Sequence, residues 1–291
     1  MRLYGEFEFT FIRLFLKSLR ADPGSFRLQV FTLIRSLPLL EDVHLRGQGA
    51  ENNDDSPIFR PSALPLLIGT LTISLARGTL ELAARQLLDL PNGIRFREFW
   101  CTVHTKEDVR WMATLVEACS GTLEHIDIKD LTWGKLPPFS LRCAIDSRID
   151  VMSALEESWA GSIDFSKATK LKGLTFRSFN RSVKWITMAL KAITAHHRDL
   201  REVTIHVHFP PSGDCDNLRQ IAGGRGFRRW IDLNSVLTRL MESHAVCVKT
   251  IHYPTGGDDL VREFMKEMFP AISTERGWSP RVRFADFDWE M

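Results

Sequence analysis

Large apolar residues recur along this chain as a triplet, large-x-x-large-x-large, found eight times: Phe11/Leu14/Leu16, Leu40/Val43/Leu45, Ile68/Leu71/Ile73, Phe96/Phe99/Cys101, Leu123/Ile126/Ile128, Leu171/Leu174/Phe176, Leu200/Val203/Ile205 and Val248/Ile251/Tyr253. Successive starts are 29, 28, 28, 27, 48, 29 and 48 residues apart. Side chains alternate between the faces of a strand, so the second and third members of each triplet point the same way, and the first enters from the preceding turn. A fixed period of this size predicts stacked repeats, each burying its apolar side against the next.

Between several triplets the apolar period changes to that of a helix. Five stripes result: Phe26/Val30/Leu33/Ile34/Leu37; Val109/Met112/Leu115/Val116/Cys119, with Gly121 placed to close the helix; Val183/Ile186/Leu190/Ile193; Trp230/Leu233/Val236/Leu237/Leu240; and Leu260/Phe264/Met265/Met268. Strand, crossover helix and parallel strand is the consistent reading. The fold class expected is α/β: a leucine-rich-repeat-like solenoid, a horseshoe with parallel strands on its concave face and helices or loops on its convex face. Residues 1–291 form a single degenerate domain of about eight units. Insertions are expected near 136–166, with a short helix candidate near 151–158, and near 210–226; the polar stretch 47–56 reads as a loop in place of a helix.

Bulk composition changes this picture little. The chain is 44% apolar and 25% charged with a net charge of +2, so it has material for a long core and no broad field for nucleic acid. Cys101, Cys119, Cys143, Cys215 and Cys247 are odd in number and never closely paired, which argues against a disulfide framework or a zinc knuckle. The apolar start is broken by Glu6, Glu8, Arg13 and Lys17, and no run spans a bilayer. A cytoplasmic or nuclear protein is expected, with no cofactor, metal, nucleic acid or membrane partner.

If the triplets point inward, unit positions three, five and seven point out onto the concave face. Position seven reads Lys17, Arg46, Ser74, Thr102, Lys129, Arg177, His206, Pro254, and position five reads Phe15, His44, Thr72, Trp100, Asp127, Thr175, Thr204, His252. Asp42, Glu98 and Glu202 fall at position three. The candidate partner-binding residues are Lys17, His44, Arg46, Trp100, Lys129, Arg177, His206 and His252, a basic stripe with the residue types that interface hot spots favour, suited to an acidic segment. His206, His208 and His252 read as surface histidines rather than a zinc site, because no further ligand has useful spacing. Gly223 to Gly226 lacks the context of a phosphate cradle and reads as a flexible loop. No nucleophile elbow or Ser/Cys–His pattern is present, so no catalytic residue is named.

The stretches Ser36-Leu-Pro-Leu-Leu-Glu-Asp-Val-His-Leu45, Asp164-Phe-Ser-Lys-Ala-Thr-Lys-Leu-Lys-Gly-Leu-Thr-Phe176, Trp185-Ile-Thr-Met-Ala-Leu-Lys-Ala-Ile193 and Leu200-Arg-Glu-Val-Thr-Ile205 resemble the repeat region of the fungal F-box-like leucine-rich-repeat proteins. That resemblance implies a non-enzymatic protein-interaction module, the substrate-recognition part of a ubiquitin-ligase adaptor. In the family an F-box docking on a Skp1-type adaptor commonly precedes the repeats. No such segment is found here, so a truncated or decayed relative is expected, binding a Skp1-type adaptor only if an F-box lies upstream. The alternative is a repeat-protein regulator or inhibitor that binds an enzyme or GTPase directly; an unrecognised enzyme comes third.

Overall fold

Among the described residues nine strands lie side by side in the order in which the chain makes them, and every neighbouring pair is parallel. They are β1 (Ser18–Ala21), β2 (Asp42–Gly47), β3 (Thr70–Leu75), β4 (Glu98–Val103), β5 (His125–Asp130), β6 (Gly173–Phe179), β7 (Glu202–His208), β8 (Cys247–Tyr253) and β9 (Ser273–Arg276). Among the described residues five helices of full range connect them: α1 (Leu80–Leu88), α2 (Lys106–Cys119), α3 (Val183–Lys191), α4 (Arg225–His244) and α5 (Asp258–Met268). This is a computed structural model, and the residues it describes are 18–21, 34, 40–47, 67–75, 78–131, 163–179, 183–208, 225–244, 246–253, 258–270 and 272–276. Among them no helix is long and apolar enough to cross a membrane.

The protein is therefore α/β, with one open, all-parallel sheet. Parallel neighbours need a crossover, and crossovers share one hand, so a sheet in sequence order receives its helices on one face. Consistently, α1 touches α2, α3 touches α4, and α4 touches α5. The triplets supply the wall beneath them: Leu40, Val43, Phe96, Phe99, Leu123, Ile128, Leu171, Phe176, Val203 and Ile205 are all fully buried. Each such side chain stabilises the fold by roughly 1.5–3 kcal/mol relative to exposure. The α2 stripe is buried along its length, as are Trp185 of α3 and Trp230 of α4; Trp185 meets Phe176 edge-on, and Trp230 meets Phe264 and Phe269.

A second periodic feature ties unit to unit. The carbonyl just before each of β3 to β6 accepts two N–H groups from the next unit: Gly69 from Arg97 and Glu98, Arg97 from Glu124 and His125, Glu124 from Lys172 and Gly173, Lys172 from Arg201 and Glu202, at 2.7–3.2 Å. The step from Glu124 to Lys172 crosses the first insertion, so the register passes that extra chain unchanged. The helix candidate near 151–158 and most of both insertions lie outside the described residues.

Several expectations are corrected. The first strand is Ser18–Ala21, with Leu19 aligned to Val43 and Ala21 to Leu45, where the triplet Phe11/Leu14/Leu16 would have put Leu14 and Leu16. In the third unit the buried anchor is Leu67, not Ile68. The unit holds one residue more there, taken up by a left-handed Leu67 (φ 45°), a conformation that costs a residue with a Cβ about 1–2 kcal/mol. In the eighth unit Val248 and Thr250, not Ile251 and Tyr253, align with the inward Val203 and Ile205. The stretch from Val248 to Tyr253 offers apolar residues of both parities, and the register with β7 decides between them. Burying Thr250 leaves its hydroxyl with no hydrogen-bond partner.

Three further differences are local. Gly121 does not close α2 in a left-handed turn, since the positive-φ glycines described are Gly78 and Gly93. The end is closed instead by the Thr122 hydroxyl and the N–H groups of Thr122 and Leu123, which converge on the Cys119 carbonyl. Arg225 and Gly226, expected in a loop, open α4. A ninth strand follows α5, unannounced because Ile272 is the one apolar residue in its Ile272 to Arg276 run.

Candidate functional site

On the face away from the helices, the register sorts outward side chains into three rows. The first, at the amino ends of the strands, runs Asp42, Thr70, Glu98, His125, Gly173, Glu202, Cys247. The second runs His44, Thr72, Trp100, Asp127, Thr175, Thr204, Lys249. The third runs Arg46, Ser74, Thr102, Lys129, Arg177, His206, Ile251.

His44, Trp100, Lys129, Arg177 and His206 thus share one face, as their spacing predicts, and Arg46 on β2 is in register with Ser74. Lys17 lies outside the described residues, as does the side chain of Arg46. His252 is a correction: it aligns with Val207, in the row that faces the helices, and Lys249 holds the outward position beside Thr204. The alternation of buried Val246, Val248 and Thr250 was the signal for this, and the triplet rule overrode it.

Trp100 is an exposed large apolar side chain on this face, at 44%. It stands on β4 between the small Thr72 and Asp127. Asp127 is not open to a partner: Arg177 reaches diagonally and forks onto it, Nε at 2.9 and 3.1 Å from its two oxygens and Nη2 at 2.6 Å. This two-pronged pair draws Arg177 out of the expected basic stripe and fixes its guanidinium. Lys129 and His206 flank Arg177 in register, so what remains of the stripe on these strands is Lys129 on β5 and His206 on β7.

Along the amino edge, charges are matched across strands. Lys172 donates to Glu124 at 2.6 Å with Arg97 4.0 Å away, and the lysine's hydrogen bond holds the Glu124 carboxyl below its ordinary value. Lys249 lies 4.0 Å from Glu202. At β3 the pattern differs. Asp42 accepts from the Thr70 N–H at 2.7 Å and Glu98 from the Thr70 hydroxyl at 3.2 Å, both neutral donors. Gly69 makes the first contact possible, because a Cβ there would sit 2.1 Å from the Asp42 oxygen. Between the two carboxylates and further along the strand, the His44 ring meets the Thr72 hydroxyl at 2.9 Å.

Nucleophile chemistry finds little support. Burial pushes the Cys101 thiol far up, helped by the charge of Asp108, and burial pushes Cys119 up to about 12. Thiolates are the reactive form, so both are inert. Among the described residues no group of His, Cys, Asp and Glu is arranged to hold a metal ion. Compared with protein-family models, curated proteins and solved structures, the chain matches none.

Proposed function

We propose that this chain is a leucine-rich-repeat-like solenoid acting as a non-catalytic protein-interaction module, with the outward sheet face as its binding surface. In the fuller form of this reading it is the substrate-recognition part of an F-box-type ubiquitin-ligase adaptor, or a decayed relative. The observation that carries the first part is the contrast between the rows: seven consecutive strands present Trp, His, Arg, Lys and carboxylates on one continuous face, while their alternate residues form the core. Exposed aromatic and arginine side chains on a rigid sheet are what a binding hot spot is made of. The ubiquitin-ligase part rests on the family resemblance alone.

The test uses the chain as bait with two variant sets. Arg46, Lys129 and Arg177 are changed to Glu together with Trp100→Ala on the outward face; Arg110→Glu and Lys184→Glu mark the helix side. Loss of the captured partners in the first set and retention in the second is expected. An unchanged partner set in the outward-face variant sinks the proposal. Co-purification of a Skp1-type adaptor with the product of the extended reading frame separates the ligase adaptor from a direct enzyme regulator.

A further inference from the structure

We infer that Asn92 is a self-modification site: its side-chain amide is displaced by the Gly93 nitrogen and then replaced by water, which leaves a carboxylate and an extra main-chain atom in the turn that feeds β4. This goes beyond the interaction-module reading and does not depend on it. Of the six asparagines in the chain, Asn92 alone precedes a glycine. The backbone nitrogen of the following residue can attack an asparagine Cγ, and a side chain on that residue stands in its way. Gly93 has none, and its left-handed backbone (φ 63°) favours glycine at this place. A Cβ built there would meet nothing within 4 Å, so the space around the reacting atoms is open. Pro91, Asn92 and Gly93 are all exposed, in the turn between α1 and β4.

The step balances with water as its one co-reactant. The Gly93 nitrogen bonds to the Asn92 Cγ, the Cγ–Nδ2 bond breaks, and the nitrogen's proton leaves with the amide as ammonia, which closes a five-membered succinimide. Water then opens the ring. Cleavage of the new bond gives aspartate; cleavage at the other ring carbonyl gives isoaspartate, in which the main chain runs through the side-chain carbon. One contact opposes the attack, because the Gly93 N–H donates to the Leu90 carbonyl at 2.8 Å and the nitrogen reacts only when the turn opens. A single exposed hydrogen bond slows the reaction by about tenfold or less relative to an unstructured peptide. Asn234 lies inside α4, where ring closure would break the helix. What makes the product matter is how firmly the turn is anchored. Leu90 and Ile94 are buried on either side of it, and the Arg95 and Arg97 N–H groups donate to the Leu67 and Gly69 carbonyls at 3.2 and 2.9 Å. Isoaspartate adds an atom between these fixed points, so the misfit falls on the bonds that set β4 in register.

The test warms the full chain in mildly alkaline buffer beside the free peptide Ac-Leu-Pro-Asn-Gly-Ile-Arg-NH2, which serves as the clock, and follows both by peptide mapping with mass spectrometry. Conversion at Asn92 is expected at a rate within about tenfold of the peptide's, with ammonia released and two acid products of equal mass resolved by chromatography. Asn234 keeps its amide, and Asn92→Gln, whose longer side chain closes the ring poorly, gives neither product. An intact amide at Asn92 after the peptide is fully converted overturns the inference. So does equal conversion at Asn234, which would mark general unfolding. Hydrogen exchange of the Arg95 and Arg97 amides then separates the two products: it should rise about threefold or more in the isoaspartyl fraction and keep the parent's value in Asn92→Asp, which carries the charge without the added atom. Unchanged exchange in the isoaspartyl fraction overturns the effect on β4.

Discussion

Adjacent residues of one strand obey different rules. In β5, Ile126 and Ile128 are buried beneath the helices, while Asp127 and Lys129 look the other way. In β4, Phe99, Cys101 and Val103 are buried and Trp100 is an exposed large apolar residue. The covered face accepts one kind of residue in nearly every unit, because each position is filled on all sides and an ill-fitting or charged group has nowhere to go. The outward face needs only to be solvated, so its residues differ from strand to strand.

The largest effect comes from crossing the two faces. Ile126→Asp puts a carboxylate among apolar neighbours with no cation near, and a loss above about 4 kcal/mol is expected, seen as unfolding at room temperature or an early, broad thermal transition. Thr102→Asp, on the outward face beside Lys129 in register, should stay within about 0.5 kcal/mol of the parent. Equal destabilisation by the two would break the comparison.

What the sequence revealed follows the same division. The inward residues were legible because packing forces large apolar side chains to recur at a strict parity, and helix stripes recur for the same reason. Registers failed where that force was ambiguous: at β1, where more than one spacing of apolar residues fits; at Leu67, where one extra residue enters the unit; and at β8, where Val248 and Ile251 have opposite parity. On the outward face the rows from β2 to β7 were legible because strand parity alone places them. The Asp127–Arg177 fork was not, since it depends on a diagonal reach between strands 50 residues apart in sequence. His197 was equally hidden. Its place in a polar turn suggests a surface residue, yet it is fully buried.

That histidine gives the next effect in size. Its Nε2 lies 2.9 Å from the Phe165 carbonyl and its Nδ1 3.1 Å from both the N–H and the carbonyl of Thr194, so it joins the turn after α3 to the turn that precedes β6. Nε2 must donate, because a carbonyl only accepts. His197→Leu keeps most of the volume but strands these backbone groups, and a loss of about 2–4 kcal/mol in urea unfolding is expected. A loss below about 0.5 kcal/mol would mean that polar groups in the core tolerate isolation, against the rule drawn from the covered face.

Smaller still is the cap of α2. The Thr105 hydroxyl accepts from the Asp108 N–H at 3.0 Å, and the Asp108 carboxylate accepts from the N–H groups of Thr105 and His104 at 2.9 and 3.0 Å. Thr105→Ala removes one half of this reciprocal pair and should cost about 1 kcal/mol. Asp108→Ala removes two bonds from a carboxylate that is only 2% exposed and should cost more. The reverse order in denaturant midpoints would place the weight of the cap on the hydroxyl.

The smallest effect tests how little the outward charges contribute to folding. Glu124 accepts from Lys172, and that hydrogen bond lowers its carboxyl below the ordinary value, with Lys172 and Arg97 charges adding to it. A carboxylate with a depressed folded value stabilises the fold above its unfolded value and loses that contribution as pH falls through the folded one. The loss should therefore begin below about pH 4.5 and run to lower pH, and Glu124→Gln should remove this part of the acid sensitivity. Because the pair is open to water, the difference in melting temperature between parent and variant should be small at neutral pH and vanish in acid and in high salt. If the parent instead lost more stability than the variant across neutral pH, a titrating group other than Glu124 would govern this edge. Parallel curves throughout would mean that the amino-edge charges contribute nothing measurable to folding, which widens the contrast between a face built for packing and a face left to solvent.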